Sequence, residues 1–296
     1  MRALITGGSG FVGGRLAAHL AVSGVEVTRV LRKPPANQRP DTFLADIREF
    51  TAVRRVFQHA RPDVVFHCAM TYGHPTGADD RLESLSTSVI GTANLAEAAA
   101  EAGVKRFVHL GSFLGYQPQV RAITESDPIG PLTPRGAAKA AASLWLRQFA
   151  LANAFPAVEL RIFSVYGPGE PPRRFIPSVL RAARTGTILP LLAGPSHDFV
   201  FVDDVVDACL RAASFNLTPG SVYNIAGGKA WKNEEVVEAA RDVTGRPIDV
   251  AVGAYPRKPA DEAFWLADIS LAAEQLGWKP AHTFHGGLRE TFLCPN

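Results

Sequence analysis

Apolar positions along this chain follow two alternating rhythms. Short continuous apolar runs, of the kind a strand buried on both faces requires, alternate with longer stretches in which apolar residues recur every three or four positions. Residues 2–6 (RALIT) open the series as a strand and lead through a glycine-rich turn into an amphipathic helix. The pattern then predicts strands at 25–31 and 43–45, a helix at 51–60 and a strand at 63–69 (DVVFHCA). A long helix at 84–102, a strand at 106–110, a helix at 136–153 and a strand at 158–163 follow. Such alternation predicts an α/β fold built on a doubly wound parallel sheet. Beyond residue 163 the pattern loosens and Pro and Gly become more frequent. Helices are expected there at 204–213, 233–243 and 270–276, with a strand at 222–225. The organisation expected is a first domain over 1–163, rejoined by segments at about 198–228. A smaller C-terminal α/β lobe takes 164–197 and 229–296.

The first turn carries the strongest chemical signal. Gly7, Gly10 and Gly13 stand at G-x-x-G-x-x-G spacing between strand and helix, with Ser9, Phe11 and Val12 between and beside them. Gly7 permits the tight turn, Gly10 removes a Cβ where a pyrophosphate approaches the backbone, and Gly13 lets the helix pack close to the sheet. The helix N-terminus then faces the phosphates. Flanked on both sides by the required elements, the triplet predicts a dinucleotide site in a Rossmann domain.

Composition narrows the partners. The chain has 296 residues, 47% hydrophobic and 20% charged, enough for a large core and one or two domains. A net charge of +3 without a basic run argues against nucleic acid, and an anionic small ligand accounts for the excess equally well. Cys68, Cys209 and Cys294 are far apart and odd in number, as expected of reduced thiols in a cytoplasmic protein. No signal peptide is expected where residue 2 already begins a strand, and no apolar run is long enough to span a bilayer. No metal is expected, because the eight histidines form no convincing ligand cluster.

Further motifs accumulate in order. They include Thr6-Gly7-Gly8-Ser9-Gly10-Phe11-Val12-Gly13, Asp46-Ile47, Val65-Phe66-His67-Cys68-Ala69 and Gly91-Thr92-Ala93-Asn94-Leu95. Then come Arg161-Ile162-Phe163-Ser164-Val165-Tyr166-Gly167-Pro168-Gly169, Asp198-Phe199-Val200-Phe201-Val202-Asp203-Asp204-Val205, Tyr223-Asn224-Ile225, Ala267-Asp268-Ile269 and Leu276-Gly277-Trp278. In that order and spacing the chain resembles the extended short-chain dehydrogenase/reductase family, the nucleotide-sugar epimerase, dehydratase and reductase group, over nearly its whole length. The resemblance implies an NAD(P)-binding Rossmann domain and a C-terminal lobe that holds a nucleotide sugar. It implies that Asp46 and Ile47 meet the adenine and that Ala69, Met70, Phe163 and Ser164 line the cofactor. It also implies a homodimer through the helices at 84–102 and 136–153.

The end of the second strand bears on cofactor choice. NAD-binding Rossmann folds place an acid there for the adenosine ribose. This chain reads Val30-Leu31-Arg32-Lys33, two cations and no carboxylate. Arg32, with its planar fork, and Lys33 suit a 2′-phosphate, so NADP(H) is expected in preference to NAD(H), although NAD(H) remains open.

The catalytic residues implied by the resemblance are a Ser, a Tyr and a Lys, the last two four apart on one helix face. Ser112 and Lys139 stand at the family's positions, but Arg135 replaces the Tyr between matching Pro134 and Gly136. A guanidinium, with a pKa above about 12, does not shuttle protons at neutral pH. It can polarise a carbonyl, and by like-charge repulsion it can lower the pKa of Lys139, which could then donate the proton. Three readings follow: a keto-sugar reductase with a relocated acid, an epimerase or dehydratase, or a cofactor-binding protein with little redox turnover. Reduction is favoured because oxidising a sugar alcohol needs a base that Arg135 is not. On the substrate side the candidates are Tyr72 and Tyr116, in loops that could face the nicotinamide, Arg174 as a nearby cation, and Ser164, His197 and Lys258 at positions the resemblance marks. His197 stands where the family has Arg, Lys258 where a later Arg would meet the diphosphate, and Ser164 where it has Asn. The substrate is accordingly a nucleotide sugar or a related carbonyl compound.

Overall fold

The computed structural model describes residues 1–34, 40–71, 77–253, 261 and 263–294. The chain divides into two compact units. The first comprises Met1–Tyr116, Pro128–Arg161 and Val206–Tyr223, and the second Gln117–Asp127, Ile162–Val205 and Asn224–Asn296.

The first unit is built on strands β1 (Arg2–Thr6), β2 (Glu26–Leu31), β3 (Thr42–Leu44), β4 (Val64–His67), β5 (Arg106–Ser112), β6 (Ala157–Ile162) and β10 (Ser221–Ile225). They form one seven-stranded sheet in the order β10-β6-β5-β4-β1-β2-β3. The pairs β1·β2, β1·β4, β2·β3 and β4·β5 are parallel. Order and direction are those of a doubly wound Rossmann sheet. The apolar runs become strands because helices cover them: Leu4, Val65 and Phe107 are sealed in a core with Leu95, Ala99 and Leu146. Those last three lie on α3 (Ala78–Glu101) and α4 (Pro134–Asn153); α1 (Phe11–Val22) and α2 (Phe50–Ala60) complete the helices of the first half.

The helix expected from residue 84 begins six residues earlier, at Ala78. Its first turns are polar and show no apolar period. They are stabilised at the N-terminus, where Asp79 and Asp80 meet the positive end of the helix dipole and Asp80 accepts from the Gly77 amide at 3.3 Å. Helix α4 starts at Pro134, with the Thr133 hydroxyl capping the Gly136 amide at 3.1 Å.

The second unit is more regular than its sequence pattern suggested. It holds a three-stranded sheet, β11-β9-β7, from β7 (Ser164–Tyr166), β9 (Ser196–Phe201) and β11 (Ala230–Lys232). A two-stranded sheet pairs β8 (Leu189–Leu191) with β12 (Val250–Val252). Helices α5 (Phe175–Thr185) and α9 (Phe284–Leu293) occupy segments with no expected element, and α7 (Asn233–Thr244) and α8 (Ser270–Gln275) occupy expected ones. Between β9 and β10 the chain forms α6 (Val202–Ser214). Tyr166, Ile176, Leu180, Phe199, Val236 and Phe284 anchor the core of this unit. No helix among the described residues is long and apolar enough to cross a membrane.

Candidate active site

At the end of β1 the backbone turns at Gly7, whose φ is +68°. A Cβ at Gly7 would lie 2.9 Å from the backbone of Ala69, so both conformation and space require glycine. Gly13 is tighter still: a Cβ there would stand 2.4 Å from the Gly7 carbonyl oxygen, and its absence lets α1 approach β1. Gly10 is the N-cap of α1 and contributes no side-chain cap, and the first turn, from Phe11 and Val12 onward, carries no acid. Neither the cap nor the first turn thus places a carboxylate at the positive end of the helix, which fits the pyrophosphate of a dinucleotide. The Thr6 hydroxyl accepts from the Ala69 amide at 3.2 Å, fixing the segment after β4 beside this turn.

Asp46 follows β3 and is tied to Arg48, whose Nε lies 3.0 Å from its carboxylate; that hydrogen bond holds the Asp46 carboxyl below the usual range. The N-cap of α2 is Glu49. Ile47 is buried; its carbonyl accepts from Asn94 Nδ2 at 2.9 Å, and a Cβ at Gly91 would sit 2.6 Å from its Cδ1. Arg32, just past β2, forms an ion pair with Glu83 on α3, while Lys33 lies beside it, exposed.

The catalytic candidates gather at the junction of β5 and α4. Ser112 ends β5 and caps a short 3-10 turn (Phe113–Gly115), its Oγ accepting from the Leu114 amide at 3.2 Å. A Cβ at Gly136 would meet the Leu114 carbonyl oxygen at 2.2 Å, so the start of α4 packs hard on this turn. Lys139 is buried, and its Nζ donates to the Leu110 carbonyl at 3.1 Å. Burial, and then the guanidinium of Arg135, brings its ammonium down to about 8, with Glu159 and Cys68 pulling the other way. Arg135 Nη2 lies 3.5 Å from Sδ of Met70, which is exposed. The structure thus brings Lys139, Arg135 and Met70 together. Tyr116 goes elsewhere: it is fully buried with the Arg161 guanidinium 4.6 Å from its ring centroid, so it packs in the interior and offers no surface to a substrate in this arrangement.

Polar groups missed in the sequence underlie this site. His67 on β4 bridges Thr6 Oγ1 at 2.8 Å and Thr92 Oγ1 at 3.0 Å, and it pairs across the sheet with His109 on β5. Burial holds both imidazoles neutral, His67 at about 3. Glu159 on β6 accepts from Ser143, one turn beyond Lys139, and lies 3.7 Å from Arg161 Nε. Its carboxylate fills the space a Cβ on Gly111 would take. The available signal was a polar residue inside an apolar strand.

In the second unit Phe163 is buried and donates its amide to the Ile225 carbonyl at 3.0 Å, and Ser164, half-buried, opens β7. Arg174 is the N-cap of α5 and pairs with buried Glu170 at 2.9 Å. Burial, and after it Arg174, pushes the imidazole of His197 on β9 down to about 4. Tyr72 and Lys258 lie outside the described residues.

Comparison with known proteins extends these observations. The NAD dependent epimerase/dehydratase family matches residues 3–226. The dTDP-6-deoxy-L-talose 4-dehydrogenase (NAD(P)(+)) of Kitasatospora kifunensis is 32% identical over 99% of this chain and 95% of its own length. The UDP-glucose 4-epimerase of Thermotoga maritima, solved with UDP-glucose, superimposes with a TM-score of 0.90 at 25% identity, covering 99% of this chain and 98% of that one. The UDP-glucose 4-epimerase of Thermus thermophilus, in complex with NAD, gives 0.86 at 27% identity with the same coverage.

Proposed function

The chain belongs to the NAD dependent epimerase/dehydratase family and is an NAD(P)-dependent oxidoreductase of the extended short-chain type; from that premise we propose that it reduces a keto group on a nucleotide-activated deoxysugar. The observation that carries this reading is the buried ammonium of Lys139, brought near the neutral range beside a guanidinium that replaces the usual acid. The dinucleotide is held by the Gly7–Gly13 turn, Asp46, Ile47, Ala69 and Met70, and the family resemblance adds Phe163 and Ser164. NADP(H) is preferred through Arg32 and Lys33, and NAD(H) is accepted. When bound, the reduced nicotinamide supplies the hydride that the keto carbon takes up. Lys139 gives the proton to the resulting alkoxide, Ser112 donates a hydrogen bond to the same oxygen, and Arg135 stabilises its negative charge. Arg174 and His197 face the nucleotide diphosphate, Arg174 as the permanent cation.

The Kitasatospora relative supports the redox reading, since dehydrogenation at a sugar C4 is the reverse of reducing the 4-ketone. Both solved relatives support a second reading, epimerisation at C4, and a Lys139 that loses its proton near pH 8 could serve as its base. One experiment separates them. With a dTDP-4-keto-6-deoxyhexose, stoichiometric loss of NADPH absorbance, abolished in Lys139→Met, supports reduction. Interconversion of UDP-glucose and UDP-galactose at catalytic NAD+, without net cofactor consumption, supports epimerisation. A homodimer through α3 and α4 is supported by exposed Leu82, Leu85 and Ile90 on the first and Leu144 and Leu151 on the second.

A further inference from the structure

The first unit carries a carboxylate that bears on cofactor choice and that the end of β2 gave no sign of. Arg32 has no acid beside it in sequence, yet its guanidinium is ion-paired with Glu83, which reaches it from α3. The pairing depends on α3 starting at Ala78, which places Glu83 in the second turn of the helix. Both side chains are partly exposed, at 48% and 38%. A second pair sits in the same field: Arg48 is bound to Asp46, and its guanidinium also feels the charge of Glu83, as Asp46 feels that of Arg32. The cations that suit a 2′-phosphate are therefore interleaved with carboxylates contributed by β3–α2 and α3.

We propose that Glu83 is a specificity-determining residue: by holding the Arg32 guanidinium it taxes the binding of a 2′-phosphate and keeps NAD(H) competitive with NADP(H). The inference rests on reading the Gly7–Gly13 turn as a dinucleotide site with Arg32 at the adenosine ribose. A phosphate and Glu83 compete for one guanidinium. A 2′-phosphate dianion must displace the carboxylate or share Arg32 with it at close range, and like charges at such distances repel. A 2′-hydroxyl carries no charge and can donate a hydrogen bond to the carboxylate. The acid that an NAD site needs is thus supplied from a helix, and the cation that an NADP site needs is kept within reach on the strand.

The test is calorimetric titration of NADPH and NADH into the full-length protein and its Glu83→Gln variant, which changes an exposed side chain and leaves the core untouched. Glu83→Gln is expected to tighten NADPH about five- to tenfold, the scale of one exposed ion pair released plus one repulsion removed, and to leave NADH within about twofold. The gain should vanish in the double variant Glu83→Gln/Arg32→Ala, because there is then no guanidinium to release. Binding of both cofactors with an unchanged NADPH:NADH ratio in Glu83→Gln overturns the proposal and leaves the dinucleotide site standing. A gain that survives loss of Arg32 overturns it as well. If the unaltered protein binds neither cofactor, the reading of the glycine turn falls, and the proposal with it.

Discussion

Lys139 stands one turn beyond Arg135 on α4, and burial first, the Arg135 guanidinium second, bring its ammonium down to about 8. Replacing Arg135 by Gln removes the like charge and keeps the length, so the Lys139 pKa rises. The expected outcome is an alkaline limb of the kcat/KM profile displaced to higher pH, with kcat reduced by loss of the polarising cation. An unmoved limb would show that Lys139 is not the titrating group.

The same burial has a stability consequence. An unfolded lysine keeps its proton to about 10.5, whereas the folded one loses it near 8. Between those values the unfolded chain binds more protons, so stability rises with pH, by at most about 3 kcal/mol. Denaturant unfolding should show stability of the native protein rising relative to Lys139→Met from about pH 8 upward. Both proteins should share a decline above about pH 9, as the buried Cys68 and Cys209 thiols, held protonated by the fold, would ionise in the unfolded chain. Lys139→Met should be the more stable of the two at neutral pH.

Gly91→Ala is expected to cost about 1–2 kcal/mol, because the new Cβ would lie 2.6 Å from Cδ1 and 2.8 Å from Cγ1 of buried Ile47. Ile47 would be pushed toward the adenine position assigned to it, so dinucleotide affinity should fall together with Tm. A lower Tm with unchanged affinity would remove Ile47 from the cofactor site.

Glu159→Ala leaves the buried Arg161 guanidinium without its nearby carboxylate and opens a cavity over Gly111. A loss of about 3–5 kcal/mol in equilibrium unfolding is expected, as for a buried pair broken on one side. Glu159→Gln, which preserves shape and can still accept from Ser143, should cost less.

At the acid end, the Arg121 guanidinium holds the Asp127 carboxyl at about 2, below its ordinary 3.8. That stabilisation is complete above pH 4 and is lost as the pH falls toward 2. Arg121 is exposed, so solvent screening keeps the contribution small. Asp127→Asn should flatten this part of the acid unfolding curve.

The glycine turn was legible because each glycine answers to a local demand: a positive φ at Gly7, a near-contact with backbone at Gly13. The sheet was legible because β4 and β5 are apolar runs with no competing period. The polar layer was not. His67 and His109 become neighbours through strand pairing, and Glu159 meets Ser143 through the packing of α4 on the sheet. No spacing in the chain encodes those contacts. Glu83 escaped notice for a related reason: it lies in polar turns of α3 stabilised by the helix N-terminus and not by an apolar stripe. Tyr116, four residues after Ser112, suggested a substrate contact, but the chain turns through Phe113–Gly115 and carries it into the interior.

The place of β10 in the sheet order has a consequence for synthesis. The strand covering the outer side of β6 is contributed by residues 221–225, long after β6 itself has left the ribosome. Until then β6 presents an open row of backbone donors and acceptors, and the apolar faces of its neighbours have one strand fewer to pack with. A fragment ending at residue 163 would carry every glycine of the Gly7–Gly13 turn and still be prone to associate edge to edge. The first unit is therefore completed only after residues 117–127 and 162–205 of the second unit have been made.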